Sequence, residues 1–431
     1  MRENDRAIVA FTGLSHAVVH TYELSIPILV LVWLTEFPVT TATLGSVVAV
    51  GYGLFGAGAL PGGVLADRYG PQWLVVGCLL GMGGSFLLVS LAPNVPTIAL
   101  ALGVWGLAAS VYHPAGLSLI STGVHDRGTG FAYHGMAGNA GIALGPLATA
   151  LLLLVFDWRL VAALLAIPAV LAVGVALTAE FDATAAVSAD GGTEDGAGED
   201  DAATTEETDA PASLSAFLAD SRTLFTAGFA LALGVVAMNG LFYRGTLTFL
   251  PDVLSGYLPS VTEYVRLFEP GSAMAEEFDL AYYIYTGLLV VGIGGQYVGG
   301  KLTDRVPVTT GLAGVFAGLC VVGVLFVPAA EAGVGPLLAV SAVLGFLLFA
   351  IQPLYQATIA EVSPAGDRGL SYGYTYLANF GVGAAGAAVS GYLLSAVGEG
   401  GTFLGLALFP LVGVVLAVAL RGRRGTDAGA A

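Results

Sequence analysis

The sequence predicts an all-α protein that crosses a membrane about twelve times, since a spanning helix needs about 20 apolar residues. Of the 431 residues, 56% are hydrophobic and only 10% are charged, whereas a soluble domain carries roughly 25% charged residues. The mean hydropathy is +0.84. Sixty-two glycines suit helices that approach each other closely in lipid.

The apolar runs fall into two groups of six. They lie near residues 7–34, 43–66, 73–92, 97–120, 129–156, 158–179, 222–250, 279–300, 308–328, 334–360, 369–395 and 400–420. We therefore predict an N-terminal six-helix bundle over residues 1–180 and a C-terminal six-helix bundle over residues 222–420. A short tail follows over residues 421–431.

A polar, acidic stretch separates the two groups. Eleven of the 31 acidic residues lie between Glu180 and Asp209, among many Ala, Gly and Thr residues. Such a composition buries too little apolar surface to fold. We predict that residues 181–221 form an acidic, disordered cytoplasmic linker.

The basic residues predict the orientation. With the N-terminus inside, 11 of the 14 Lys and Arg residues fall on the cytoplasmic side, as the positive-inside rule requires. Arg159 and Arg266 fall outside and Arg244 lies within a span. We therefore expect a multi-pass protein of the cell membrane with both termini in the cytoplasm.

Several function classes lack their signatures in this sequence. There is no P-loop for ATP-driven pumping, no zinc-protease or paired-cysteine motif, and no nucleophile with a matched base. Cys78 and Cys320 lie inside apolar runs. We expect no enzyme activity, no cofactor, no metal, no nucleic-acid partner and a monomer in the lipid bilayer.

The two groups of spans also repeat short motifs in the same order. The string Gly63 to Arg68 after the second span matches Gly300 to Arg305 after the eighth. Asp-Arg-Gly precedes both the fifth span, at Arg127, and the eleventh, at Arg368. Parallel repeats of this kind place a binding site near mid-bilayer, between the halves.

These motifs resemble the major facilitator superfamily. The string GVLADRYGPQW from Gly63 to Trp73 is similar to that family's signature between helices two and three, although Pro71 and Gln72 stand where the family often has Arg and Lys. The resemblance implies a transporter in which loop residues form a latch that breaks in each cycle. Asp67 would meet the start of helix eleven, and Asp304 the start of helix five. The latch set is Gly63, Asp67, Arg68, Gly70, Asp304, Arg305, Arg127 and Arg368.

The fifth span carries a further resemblance. The residues Gly141, Gly145 and Pro146 are similar to the glycine-proline motif of the family's exporters, which are usually proton-coupled antiporters. They could close the cavity toward one side, or they could serve ordinary small-residue packing. The strings Ser15-His16 and Tyr112-His113-Pro114 look like the fosmidomycin-resistance branch.

Ionisable residues inside spans are costly and usually functional. His16, His20 and Glu23 share one face of the first span, because a helix turns about 100° per residue. A carboxylate beside a histidine favours its charged form, so this face is a candidate proton-coupling site. Structural hydrogen bonds are the alternative, and a metal site is a minor one. Arg244, the counterpart of His20 in the seventh span, needs a partner, either Glu23 or an anionic substrate.

Other polar residues of the spans could line the central cavity or make helix-packing hydrogen bonds. They are His113, His134, Asn139, Gln352, Tyr355, Gln356, Tyr376 and Asn379. The three tyrosines that begin the eighth span, Tyr282, Tyr283 and Tyr285, are expected to form an aromatic belt at the membrane interface.

The leading hypothesis is a secondary transporter that exports a small organic solute by proton antiport. Proton-coupled import of an organic anion is the alternative, motivated by Arg244 and the histidines. A membrane sensor that does not transport is a remote third.

Overall fold

Every predicted span is helical in the computed structural model, which describes residues 1–186, 219, 221–258, 279–303, 305–363 and 368–430. Within these residues, nine helices are long and apolar enough to cross a membrane, and Thr41–Ala57 is a shorter apolar helix. The all-α polytopic class is therefore confirmed, whereas the number twelve stays a prediction.

Short connections join most neighbouring helices, and the longer intervals are residues 179–226 and 258–279. Their bounds are α1 Glu3–Glu36, α2 Thr41–Ala57, α3 Ala59–Tyr69, α4 Pro71–Ser90, α5 Val95–Ser110, α6 Tyr112–Gly123, α7 Arg127–Leu153, α8 Trp158–Leu164, α9 Ala166–Thr178, α10 Ala227–Tyr257, α11 Leu280–Thr303, α12 Val308–Glu331, α13 Val334–Val362, α14 Arg368–Tyr376, α15 Ala385–Leu406 and α16 Leu408–Ala430, with a π-helical turn at Leu377–Val382 between α14 and α15.

Polar side chains begin several of these helices. Asn94 accepts a hydrogen bond from the Thr97 backbone N–H at 3.0 Å, and Asp157 and Thr226 cap α8 and α10 in the same way. Such caps satisfy backbone donors that the first helical turn leaves open. They fix where each helix starts after a short loop.

Proline divides several spans into two helices. Pro61, Pro114, Pro168 and Pro410 each stand third in the helix that follows a break, in α3, α6, α9 and α16. Proline has no backbone N–H and its ring collides with the preceding turn, so it starts a new helix more easily than it continues one. The predicted boundary between the last two spans falls at Gly398, which has a φ of +69° inside α15.

Residues 1–186 and residues 221–430 form two parts that touch at both ends of the molecule. At one end, the Thr41 hydroxyl lies 2.8 Å from the Ser395 hydroxyl and donates to the Gly391 carbonyl at 3.0 Å. At the other end, α3 packs against α14. The helices α7 and α11 also pack against each other across the two parts. Between these ends, α1 packs against α10.

Most of the predicted linker, from residue 187 to 218, lies outside the described residues. Its first residues contact the N-terminal part. The Asp182 backbone N–H donates to the Asn4 side chain at 2.7 Å, and the Thr122 hydroxyl donates to the Ala183 carbonyl at 2.6 Å. The disorder and domain boundaries stay predictions.

Candidate functional site

A chain of ionisable side chains runs along α1. His20 Nδ1 lies 2.5 Å from Glu23 Oε2, and His20 Nε2 lies 3.0 Å from His16 Nε2. Residues three and four apart meet on one face of a helix, which explains the alignment. Glu23 is 1% exposed and His20 is 8% exposed.

Glu23 also joins the two parts of the molecule. Its other oxygen, Oε1, accepts a hydrogen bond from the guanidinium of Arg244 on α10. The Arg244 guanidinium carbon lies 3.9 Å from the centroid of the Tyr52 ring, and the Tyr52 hydroxyl donates to the Glu23 carbonyl at 2.9 Å. Arg244 is 2% exposed. Of the two partners that the sequence allowed for Arg244, the structure pairs it with Glu23.

Two more histidines approach this chain from neighbouring helices. His16 Nδ1 lies 2.9 Å from the backbone carbonyl of His134 on α7, and 3.2 Å from His134 Nδ1. His113 on α6 meets the His16 ring edge-on, with 5.4 Å between centroids, and stacks on Tyr376 at 4.9 Å. Four of the five histidines in the sequence therefore converge on one cluster, in which His20, His113 and His134 are buried and His16 is half-buried.

Small residues on α7 bring this helix against α1. A Cβ atom at Gly141 or Gly145 would collide with the backbone of Ala17 or Thr21, and one at Gly138 would collide with the His16 ring. The absence of these side chains allows close approach of the two helices. The packing interpretation of Gly141 and Gly145 thus has a direct structural basis, while a gating role for them and Pro146 stays a proposal.

The C-terminal part has a matching close contact with different side chains. The Asn239 side chain on α10 donates to Asn379 Oδ1 at 3.0 Å, and a Cβ at Gly240 would collide with the Asn379 backbone. Asn379 lies in the π-helical turn Leu377–Val382. Such turns occur often at functional sites.

The other predicted cavity residues differ in their burial. Asn139 and Gln352 are half-buried, Tyr355 is 6% exposed, and Gln356 is exposed. A place for these four side chains in a central cavity stays a prediction. In the described residues, none of the four hydrogen-bonds to a histidine of the cluster.

The predicted latch is described only in part. Asp304 lies outside the described residues, and the side chains of Asp67, Arg127 and Arg368 are likewise not described. The helices that carry them do adjoin, because α3 packs against α14, where Leu60 lies beside Gly373. The remaining latch residues Gly63, Arg68 and Arg305 are described, and Gly70 has a φ of +82°, which allows the turn between α3 and α4.

Several aromatic side chains of the site are not predictable from the sequence pattern, and others differ from the prediction. Tyr52 and Tyr243 flank Arg244, with centroids 3.9 and 5.3 Å from its guanidinium carbon. The predicted interfacial belt is wrong for Tyr282 and Tyr285, which are 7% and 0% exposed. A tyrosine-rich helix start looks the same in sequence whether it faces lipid or protein, so only packing decides.

The ring nitrogens of His16, His20 and His113 lie within 4.8 Å of one another. Imidazoles in such a group can hold a metal such as zinc. Two nitrogens on a tetrahedral zinc would stand about 3.3 Å apart, given bonds of about 2.0 Å. The 3.0 Å between His16 and His20 is instead a hydrogen-bond distance. The expectation of no metal stays a prediction.

Comparison with known proteins identifies relatives of this chain. The model of the Major Facilitator Superfamily matches residues 13–385 and 266–430. The puromycin resistance protein pur8 of Streptomyces alboniger is 37% identical over 108 residues, which is 24% of this chain and 22% of that protein. An uncharacterized MFS-type transporter of Mycobacterium tuberculosis is 37% identical over 101 residues, or 23% of this chain and 24% of that protein. The matched segments thus span about a quarter of these curated relatives.

Solved structures share the fold over nearly the whole chain. The nucleoside transporter NupG superimposes with a TM-score of 0.68 at 14% identity, covering 98% of this chain and 99% of the other. A bacterial homolog of the human lysosomal transporter Spinster, inward-facing and occupied, gives a TM-score of 0.70 at 12% identity, covering 98% and 97%. At these identities the likeness concerns the fold alone.

Proposed function

The chain belongs to the Major Facilitator Superfamily, and from that premise we propose that it exports a small organic solute across the cell membrane in exchange for protons. Family membership makes it a multi-pass membrane protein with a small-molecule substrate, and its relatives are transporters rather than enzymes. The observation that carries the proton coupling is the buried chain from His16 through His20 and Glu23 to Arg244.

The row of side chains from His16 to Arg244 has the properties that a proton-coupling site requires. Histidine is the side chain whose charge changes between about pH 5 and 8. A charge buried in low dielectric needs a partner, so gain or loss of a proton changes which contacts are favourable. Because Glu23 and Arg244 belong to different parts of the molecule, a change at His20 reaches the contact between the parts.

Alternating access supplies the transport step. The two parts touch at both ends, through Thr41 and Ser395 at one and through α3 and α14 at the other. A solute can enter or leave only when one of these contacts opens. We propose that each opens in turn while the central ion pair rearranges.

Two observations favour export. The glycine-proline string of α7 is similar to the motif of exporters in the family, and a puromycin resistance protein is among the relatives. Import of an organic anion with protons is the second candidate. It is favoured by Arg244, whose Nε has no hydrogen-bond partner although it is buried and could meet a carboxylate.

Transport in vesicles distinguishes the two directions. Everted membrane vesicles are prepared from cells that express the protein and are given an imposed proton gradient, acid inside, and a pH dye. Puromycin and a panel of organic cations and anions are added to the outer face, which corresponds to the cytoplasm. An exporter should alkalinise the lumen when its solute is added, and His125→Asn, remote from the cluster, should behave as wild type. Solute flux without proton movement would refute the coupling.

The latch is tested separately. Asp67→Ala should cut the transport rate at least tenfold while leaving expression and the thermal unfolding midpoint close to wild type, because a helix-end interaction contributes only about 0.3–2 kcal/mol. Asp157→Ala, which removes the cap of α8 and lies outside the latch, serves as the matched control and should transport at the wild-type rate. Unchanged flux in Asp67→Ala would refute the latch.

A further inference from the structure

The hydrogen-bond partners of the histidine pair fix where its protons sit. His16 Nδ1 lies 2.9 Å from the backbone carbonyl of His134. A carbonyl oxygen can only accept, so His16 Nδ1 carries a hydrogen. In a neutral imidazole only one nitrogen does, and His16 Nε2 is then a bare lone pair.

The same reasoning applies to His20. Its Nδ1 lies 2.5 Å from Glu23 Oε2. Glu23 is ion-paired with Arg244, so its carboxylate is ionised and accepts. His20 Nδ1 therefore donates, and the neutral ring would leave His20 Nε2 without a hydrogen.

These assignments conflict with the contact between the rings. His16 Nε2 and His20 Nε2 lie 3.0 Å apart, and two lone pairs at that distance repel. We infer that one excess proton is held between His16 Nε2 and His20 Nε2, so that the two rings together form an imidazole–imidazolium pair. The proton is taken up from hydronium in the solvent: one O–H bond of the hydronium breaks and releases water, and one N–H bond forms that completes the N–H···N hydrogen bond.

The surroundings of the pair suit a single positive charge. The ring of Tyr112 stacks on His16 with 5.4 Å between centroids, and an aromatic face attracts a cation. His113 and His134 face the pair from α6 and α7, and Tyr52 and Arg244 lie on its far side around Glu23. Arg244 and the histidine pair each carry one positive charge. Glu23 balances one of them, so the cluster keeps one net positive charge.

The shared proton is the middle link of a continuous chain between the parts. The chain runs from the His134 carbonyl through His16, the proton, His20 and Glu23 to Arg244. Loss of the proton leaves two opposed lone pairs, and the rings must separate. The separation moves His20, which holds Glu23 toward Arg244. This inference rests on the proposed function only where it assigns the proton a role in the cycle; the location of the proton is independent of transport.

Nitrogen NMR of histidine tests the location directly. The protein is labelled with 15N at histidine in the His125→Asn background, which leaves only the four histidines of the cluster. Between about pH 5 and 8, the range in which histidine titrates, one ring should give the signals of a cation. That signal should disappear in both His16→Asn and His20→Asn and persist in His113→Asn. The protein with all four cluster histidines should also show a 15N–15N coupling across the Nε2–H···Nε2 bond, which does not depend on any core variant.

Two results would overturn the inference. One is four neutral rings throughout that pH range with no coupling. The other is a bound metal at the same nitrogens, shown by one equivalent of cobalt giving tetrahedral absorption bands that His16→Asn abolishes. Proton-coupled flux in vesicles together with neutral rings would refute this location while the proposed function stands. The cation signal without proton-coupled flux would do the reverse.

Discussion

Two helix pairs occupy equivalent places in the two parts of the molecule: α1 with α7, and α10 with the segment formed by the π-helical turn after α14 and the start of α15. In both, glycines let the backbones meet, at Gly141 in the first pair and at Gly240 and Gly386 in the second. The polar side chains differ. The first pair holds histidines and a carboxylate, and the second holds Arg244 and two asparagines.

Close packing and proton chemistry therefore depend on different residues in these helix pairs. Close approach of helices needs small residues in both pairs, since lipid gives no hydrophobic drive for helix association. Titration needs groups that change charge near neutral pH, and only the first pair has them. An arginine stays charged throughout, so the second pair supplies a constant charge against which the first can change.

The largest expected effect follows from breaking the bond between the pairs. Arg244→Gln leaves the buried Glu23 with only the histidine pair to balance its charge, and removal of one partner from a buried ion pair costs about 3–5 kcal/mol. We expect the thermal unfolding midpoint in detergent to fall sharply and transport to cease.

The double variant Glu23→Gln/Arg244→Gln is the control for this prediction. It removes both charges, so most of the stability should return while transport stays absent. A single variant as stable as wild type would mean that Glu23 finds another cation, and the bond between the two pairs would lose its importance.

The second effect tests the shared packing. Gly141→Ala and Gly386→Ala each place a Cβ against backbone atoms of the facing helix, and overpacking costs about 1–3 kcal/mol. Similar losses in unfolding midpoint are expected from the two variants. Gly135→Ala, where a Cβ would meet nothing within 4 Å, should cost little. A harmless Gly386→Ala would show that the two pairs are not packed alike.

The fold was readable from the sequence because spans in lipid must be long and apolar, and helices satisfy their own backbone hydrogen bonds. The breaks inside spans were less readable. Pro61 and Pro114 mark two of them, but proline also lies inside continuous helices, as Pro27 and Pro146 do. Neighbouring helices decide which prolines end a helix.

The site was readable only where one helix carries it. His16, His20 and Glu23 follow helical spacing, so their shared face is a local property. The approach of His134 and the aromatic rings around Arg244 depends on how α2, α7 and α10 pack, which no local pattern specifies. Tyr52 could have been suspected from its place in a span, but apolar neighbours gave no sign of a partner.

The smallest expected effect comes from comparing the loss of a neutral hydrogen bond with the loss of one that involves a titrating group. Asn379→Ala removes the 3.0 Å bond to Asn239, and a neutral hydrogen bond contributes about 0.5–1.5 kcal/mol. Flux should fall a few-fold, and its pH dependence should keep the wild-type midpoint, because no titrating group is lost. His16→Asn should instead flatten the pH profile of the remaining flux. In the wild type the proton held between His16 and His20 is lost as pH rises, and without His16 the His20 ring has no second nitrogen with which to share it. Initial rates over a pH series in proteoliposomes measure both. A shifted midpoint in Asn379→Ala would mean that the asparagine pair belongs to the titrating unit, and the division of labour between the two helix pairs would fail.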